Sequence, residues 1–96
     1  MEQLKESLDK NGINYTLIKK NNKAVMYVQK NDDGLIIGYE VFKFMIQPSF
    51  TIPGTTSINP EKERFPGNED FGKTAWALIT EKSANEYYDK ITNGIL

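Results

Sequence analysis

The spacing of apolar residues at the start of the chain predicts a short helix. Leu4 and Leu8 lie four positions apart within residues 2–11, which places them on one face of a helix. Asn11-Gly12 follows, and glycine readily adopts the left-handed conformation found just after a helix. We therefore expect a narrow amphipathic N-terminal helix that docks on the edge of a sheet.

Alternating apolar and polar residues then predict three consecutive strands. The first covers residues 15–20, the second residues 23–29 and the third residues 36–47. Asn21-Asn22 and Asp33-Gly34 separate them, and both pairs contain residues that tolerate the positive φ angles of tight hairpin turns. The pattern predicts an antiparallel three-stranded meander.

The third of these strands is apolar on both faces. Both of its alternating sets are largely apolar: Glu40, Phe42, Phe44 and Ile46 on one side, and Tyr39, Val41, Lys43 and Met45 on the other. A strand with two apolar faces is typical of the centre of a sheet that is covered on both sides. We expect helices on one face, and a loop or a second subunit on the other.

Residues 48–72 have a different composition, because they contain all four prolines of the chain together with several glycines. Repeated proline is incompatible with a regular helix or a central strand. The segment is predicted to be a long irregular loop, with a short strand near residues 50–52. Loops of this length in a small domain are often binding elements.

The chain ends in a predicted strand at residues 74–80 and a predicted helix. Ser83 and Glu86 have the spacing of a capping box. Gly94 is the candidate residue just after the helix. The apolar residues of this helix recur every three or four positions, as expected for one helix face: Ala84, Tyr87, Tyr88, Ile91 and Ile95.

Together these elements predict a single α+β domain over residues 1–96. It consists of an antiparallel sheet of about four strands, a short N-terminal helix and a C-terminal helix, with the long irregular loop before the last strand. No repeat or linker divides the chain.

Composition removes several kinds of chemistry. The chain has neither cysteine nor histidine, which excludes disulfides, thiolate metal sites and catalytic triads that need an imidazole. The formal net charge is -1, and Arg64 is the only arginine, which disfavours nucleic acid as a partner. We therefore expect a non-enzymatic protein with no cofactor and no metal.

Neither end of the chain nor its interior indicates a membrane. The first residues, MEQLKESLDK, lack the apolar core of a signal peptide, and no apolar run is long enough to span a bilayer. We expect a cytoplasmic protein.

Two alternative functions remain open. Glu69 and Asp70, with Glu61 or Glu63, could bind a divalent cation in a metal-dependent hydrolase, although the EF-hand spacing is absent. The same acidic cluster, with Asn68, is also typical of turns.

The second alternative is binding of single-stranded nucleic acid. Lys19, Lys20 and Lys23 form the one local cluster of positive charge, close to Tyr27 and Tyr39 on the predicted sheet. Aromatic side chains on a sheet can stack on bases. A solvated sheet edge protected by lysines explains the same pattern.

One segment resembles a known group of proteins. Tyr39-Glu40-Val41 and the stretch FPGNEDFGKTAW, from Phe65 to Trp76, are similar to a pattern in small uncharacterised proteins of tailed phages and prophages. The similarity covers roughly residues 39–92. It implies no biochemical activity, but it would make the chain a phage accessory protein, either a modulator of host machinery or a virion component, acting in the host cytoplasm.

The favoured hypothesis is a small protein that binds another protein through the Pro-rich segment. A homodimer that buries a sheet face or an edge strand is a further expectation. The candidate contact residues are Phe50, Ile52, Ile58, Arg64, Phe65, Glu69, Asp70 and Phe71.

Overall fold

A computed structural model describes all residues from 1 to 96 and shows an α+β fold. Five antiparallel strands form the main sheet in the order β1-β2-β3-β4-β9, and one helix packs on it. The main-sheet strands are β1 (Ser7–Lys10), β2 (Ile13–Lys20), β3 (Ala24–Lys30), β4 (Ile36–Lys43) and β9 (Ala75–Leu78). The remaining elements are β5 (Ile46–Gln47), β6 (Phe50–Thr51), β7 (Ile58–Asn59), β8 (Lys62–Glu63), a 3-10 helix (Asn68–Asp70) and α1 (Glu81–Thr92).

The predicted N-terminal helix is wrong. Residues 7–10 form the edge strand β1, in which Leu8 lies opposite Tyr15. Asn11 and Gly12 have φ angles of 55° and 78°, and they form the two-residue turn between β1 and β2. Asn-Gly favours this hairpin turn as strongly as it favours the end of a helix. Pairing with β2 gives residues 7–10 backbone hydrogen bonds to a neighbouring strand. A helix with so narrow an apolar stripe would gain little stability from packing.

The helix α1 begins earlier than the sequence predicted. Thr80 is the N-cap, and its hydroxyl accepts a hydrogen bond of 3.1 Å from the Ser83 amide. The predicted capping box at Ser83 and Glu86 is therefore wrong, because Ser83 already lies in the first turn. Gly94 is confirmed as the residue just after the helix, with a φ of 74°.

The two faces of the sheet carry two separate apolar clusters. On one face, α1 packs against β3 and β4, and the buried residues are Ala24, Met26, Val28, Tyr39, Val41, Ala84, Tyr88 and Ile91. On the other face lie Tyr15, Val25, Tyr27, Phe42 and Ala75, covered by residues that include Leu4, Phe65 and Phe71. The predicted coverage of the central strand by a helix on one side and the loop on the other is confirmed.

Much of the predicted irregular loop is a β-hairpin, which we call the arm (residues 46–63). Gln47 lies opposite Lys62, and Phe50 lies opposite Asn59, so a single register runs through β5–β8 and β6–β7. The ladder is interrupted where Pro48 and Pro60 lack an amide hydrogen. The predicted strand near residues 50–52 is confirmed as β6, whereas its partner β7 was not predicted.

The tip of the arm is a tight turn built on Pro53-Gly54. The Thr55 amide and hydroxyl donate to the Ile52 carbonyl at 3.2 and 2.9 Å, and Gly54 has a φ of 77°. Proline followed by glycine at a positive φ is the signature of a type II turn. The Ile52 amide then donates to the Ser57 carbonyl at 3.0 Å, which closes the hairpin.

The β1–β2 turn gives a test of the corrected N-terminus. Replacing Gly12 with Val should destabilise the protein by roughly 1–2 kcal/mol, because a β-branched residue is strained at positive φ. The matched control is Gly12→Asn, which should cost much less since asparagine tolerates this conformation. Urea denaturation measures both. Equal stability of the two variants would contradict the hairpin and favour a different N-terminal structure.

Candidate protein-binding arm

Beyond its base, the arm is uncharged and exposes large apolar side chains. Residues 44–60 contain no Asp, Glu, Lys or Arg. Phe50, Ile52 and Ile58 are exposed there, and Ile58 shows 67% of its surface to solvent. Ribbons that stay free in solution usually carry charged residues that prevent association. The arm lacks this protection.

The register decides which arm residues lie together. Phe50 and Ile52 are two positions apart, so they share one face of the ribbon. Ile58 lies opposite Thr51, which places it on the other face. The strands β6 and β7 pair only with each other, so their outer edges are also unpaired. The arm thus presents apolar surface on both faces.

The base of the arm is fixed by Glu63. Its carboxylate accepts hydrogen bonds from Lys20 Nζ at 2.6 Å and from the Leu4 amide at 3.0 Å, and the Glu63 amide donates to the Glu2 carbonyl at 2.8 Å. Burial alone would raise the pKa of Glu63, but the hydrogen bonds from Lys20 and Leu4 lower it. The N-terminal segment thereby holds the point where the arm joins the domain.

Phe65 lies outside the exposed part of the arm. Its ring is the centre of an aromatic cluster, with ring centroids at 5.3 Å from Tyr27, 5.5 Å from Phe42 and 5.7 Å from Tyr15. Phe71 packs against the same apolar cluster. The structure therefore places these two predicted contact residues, partly buried, against the apolar cluster on the sheet face away from α1, and not beside Phe50 and Ile58.

Arg64 and Asp70 stabilise the turn that follows Phe65. The Asp70 carboxylate accepts hydrogen bonds from Arg64 Nη2 at 2.9 Å and from the Gly67 amide at 2.8 Å. Glu69 is more peripheral, 3.6 Å from the same guanidinium and largely exposed. The turn predicted for Asn68, Glu69 and Asp70 is confirmed as the 3-10 helix.

The carboxylates proposed for a metal site do not converge. Asp70 is occupied by Arg64, Glu63 lies with Lys20, and Glu61 is exposed. No three Asp or Glu side chains are grouped so that they could hold an ion. A groove of about 440 Å³ lies between the N-terminal segment and the base of the arm, and it mixes both signs of charge, with Glu2, Lys5, Asp9, Lys62 and Arg64 among its lining residues.

The lysine cluster is divided between the two faces of the sheet. A bulge follows Leu17, and Lys19 then lies on the helix face, where its Nζ is 2.8 Å from Asn85 Oδ1. Lys20 points to the opposite face and pairs with Glu63. Tyr27 and Tyr39 are buried, so neither ring is available to stack on a base. The structure thus separates the residues on which the nucleic-acid hypothesis depended.

Glu40 is a buried carboxyl that sequence reasoning did not single out. It is only 6% exposed, and its Oε2 has no hydrogen-bond partner. Burial raises the pKa of Glu40, and the positive charge of Lys10 offsets part of this shift. Glu40 lines neither of the two grooves of the surface. The signal available in the sequence was the position of this acidic residue within a strand whose two faces are largely apolar.

Comparisons with protein families, curated proteins and solved structures found no match for this chain. The helix α1 is too short and too polar to cross a membrane.

The different roles of two phenylalanines can be tested by truncation. Phe65→Ala should cost about 3 kcal/mol of folding free energy, because it removes the centre of the aromatic cluster. The matched change Phe50→Ala should alter stability by no more than about 0.5 kcal/mol, since Phe50 is exposed and belongs to neither apolar cluster. Chemical denaturation compares them, and a similar loss in both variants would contradict the assignment of Phe65 to the core.

The buried Glu40 should make stability depend on pH. Its folded-state pKa is raised, so the folded protein keeps a proton that the unfolded chain releases, and stability falls as pH rises above the ordinary carboxyl pKa of 4.5. Glu40→Gln should therefore be more stable than the wild type at pH 7. The difference should shrink as pH falls to about 4, where both states of the wild type hold the proton. A constant difference at both pH values would show that the charge is not the cause.

Proposed function

We propose that this protein is a non-enzymatic binding protein whose arm inserts against a protein partner. The single observation that carries the proposal is the exposure of Phe50, Ile52 and Ile58 on a projecting ribbon without charge. Large apolar side chains exposed together on one element of a small protein usually mark an interaction site.

The energetics of the arm support binding. Burying each of the three apolar side chains contributes roughly 1.5–3 kcal/mol, before the cost of association is subtracted. The type II turn at the tip and the Glu63 contacts at the base hold the arm in one conformation. A preorganised ribbon loses less conformational entropy when it binds.

The open edges of the arm indicate how the partner would be engaged. Since β6 and β7 pair only with each other, either strand can accept an additional strand from the partner. Backbone hydrogen bonds would then fix the register, and the apolar side chains would enter pockets on both faces of the ribbon.

The resemblance of residues 39–92 to small proteins of tailed phages supports an accessory role in a phage. On this proposal, the arm binds either a component of the host machinery or another virion protein. The matching segment includes Phe65 and Trp76, which lie in or against the two apolar clusters, so the resemblance concerns the scaffold that carries the arm.

Shortening the arm provides the decisive test. Replacing residues 48–61 with Asn-Gly joins Gln47 to Lys62 through a two-residue turn in the register that they already have. We expect this variant to fold, as judged by circular dichroism and an unfolding transition close to that of the wild type, and to lose the partners captured from host lysate by the wild-type protein.

Point variants provide the matched control. Ile58→Lys should lose the same partners, whereas Ile95→Lys, which places an equal charge at a similarly exposed position outside the arm, should retain them. Partners that bind the shortened protein as well as they bind the wild type would refute the proposal.

A further inference from the structure

The outer edge of β9 has backbone groups without partners. The Lys43 amide donates to the Thr74 carbonyl, so Thr74 and every second residue after it turn their backbone groups towards β4. Ala75 and Ala77 turn theirs to the outer edge of the sheet, and the same alternation, extended one residue past the end of β9, places Ile79 there. The Ala75 carbonyl accepts from the Gly72 amide at 2.8 Å, which covers the start of this edge. The edge is open from Ala77 onward.

Side chains beside this open edge are small or apolar. Ala77 is exposed, and Ile79 shows 85% of its surface to solvent. If the β4–β9 register continues by one residue, Gly38 lies opposite Ile79 and offers no side chain to cover it. The result is an apolar surface on the sheet face that lies away from α1.

The edge also lacks the usual protection against pairing. Residues 74–80 contain no charged side chain, whereas the opposite edge strand β1 carries Asp9 and Lys10 within four residues. Charges on edge strands normally prevent association between sheets. Only the β9 edge of the main sheet is left without them.

Charges at the two ends of β9 favour a second copy of the same strand. Lys73 precedes β9 and Glu81 follows it, and both are exposed. When two identical strands pair in antiparallel fashion, the beginning of each lies beside the end of the other. Lys73 of each copy is then directed towards Glu81 of the other, and this arrangement occurs twice. Parallel pairing would bring like charges together.

We propose that the protein forms a twofold-symmetric dimer in which two β9 strands pair antiparallel, with Ala77 of each copy opposite Ile79 of the partner subunit. The two main sheets join into one continuous ten-stranded sheet. The outward amides and carbonyls of Ala77 and Ile79 are satisfied, and Ile79 is removed from water. This interface is independent of the arm, which follows β4 at the opposite end of the sheet.

Sedimentation equilibrium on the full-length protein tests the dimer. The wild type should show a reversible monomer–dimer equilibrium at micromolar concentrations. Ile79→Lys should raise the dissociation constant by at least about tenfold, because it puts a charge into the interface. Ile95→Lys is the matched control, since Ile95 is 70% exposed and lies outside the β9 edge, and it should not change the equilibrium.

A charge exchange tests the direction of the strands. Lys73→Glu and Glu81→Lys should each weaken the dimer, because each places like charges side by side, and the double variant should restore it. Circular dichroism confirms that all three variants are folded. A wild type that stays monomeric to high micromolar concentration, or a double variant as weak as the single ones, would overturn the proposal.

Cysteine pairing tests the register, since the natural chain contains no cysteine. Opposite residues in a hydrogen-bonded antiparallel pair have Cα atoms about 5.5 Å apart, within disulfide range. Mixing the Ala77→Cys and Ile79→Cys proteins under mild oxidation should give mainly the mixed disulfide. The variant with the shortened arm distinguishes the two proposals. If it still dimerises but no longer captures partners from lysate, the β9 interface is independent of the function proposed for the arm.

Discussion

The packing of Phe65 on the open face of the sheet is the interaction on which the rest of the structure depends. Phe65 contacts Tyr15, Tyr27 and Phe42, which come from three neighbouring strands. Its ring covers the centre of the sheet face that the single helix leaves open, since α1 packs only on the other face. The same contact holds the chain directly after the arm. It therefore contributes both to the stability of the apolar cluster and to the position of the arm.

The arm is rigid at its base and tip and apolar along its length. Glu63 is held by Lys20 and by the N-terminal segment, and Pro53-Gly54 closes the tip. Between these points, the side chains that a domain would normally bury face solvent on both sides. Exposed apolar side chains lower the solubility of a protein unless another surface covers them. For this reason we propose that the arm binds a partner.

The fold carries two uncharged surfaces at opposite ends of the main sheet. One is the part of the arm beyond its charged base at residues 61–63, and the other is the outer edge of β9 beside the start of β4. Two separate surfaces allow a protein to associate with itself and with another partner at the same time. Some of the charged residues that favoured other functions instead form ion pairs within the fold, namely Lys20 with Glu63 and Arg64 with Asp70.

The sequence by itself determined the elements whose signals are local: the β2–β4 meander, the strand β9, the final helix and the turn at Asn68 to Asp70. It also suggested Phe50, Ile52 and Ile58 as candidate contact residues, because a Pro-rich segment that interrupts the regular pattern is visible without coordinates. Only the tertiary structure decided that Asn11-Gly12 closes a hairpin and that Phe65, Phe71, Arg64 and Asp70 serve the core and its turn. Those outcomes depend on strand pairing and burial between residues far apart in the chain. A local pattern is compatible with a helix end or a hairpin, and with an exposed or a buried side chain, and only the contacts made in the folded sheet decide between them.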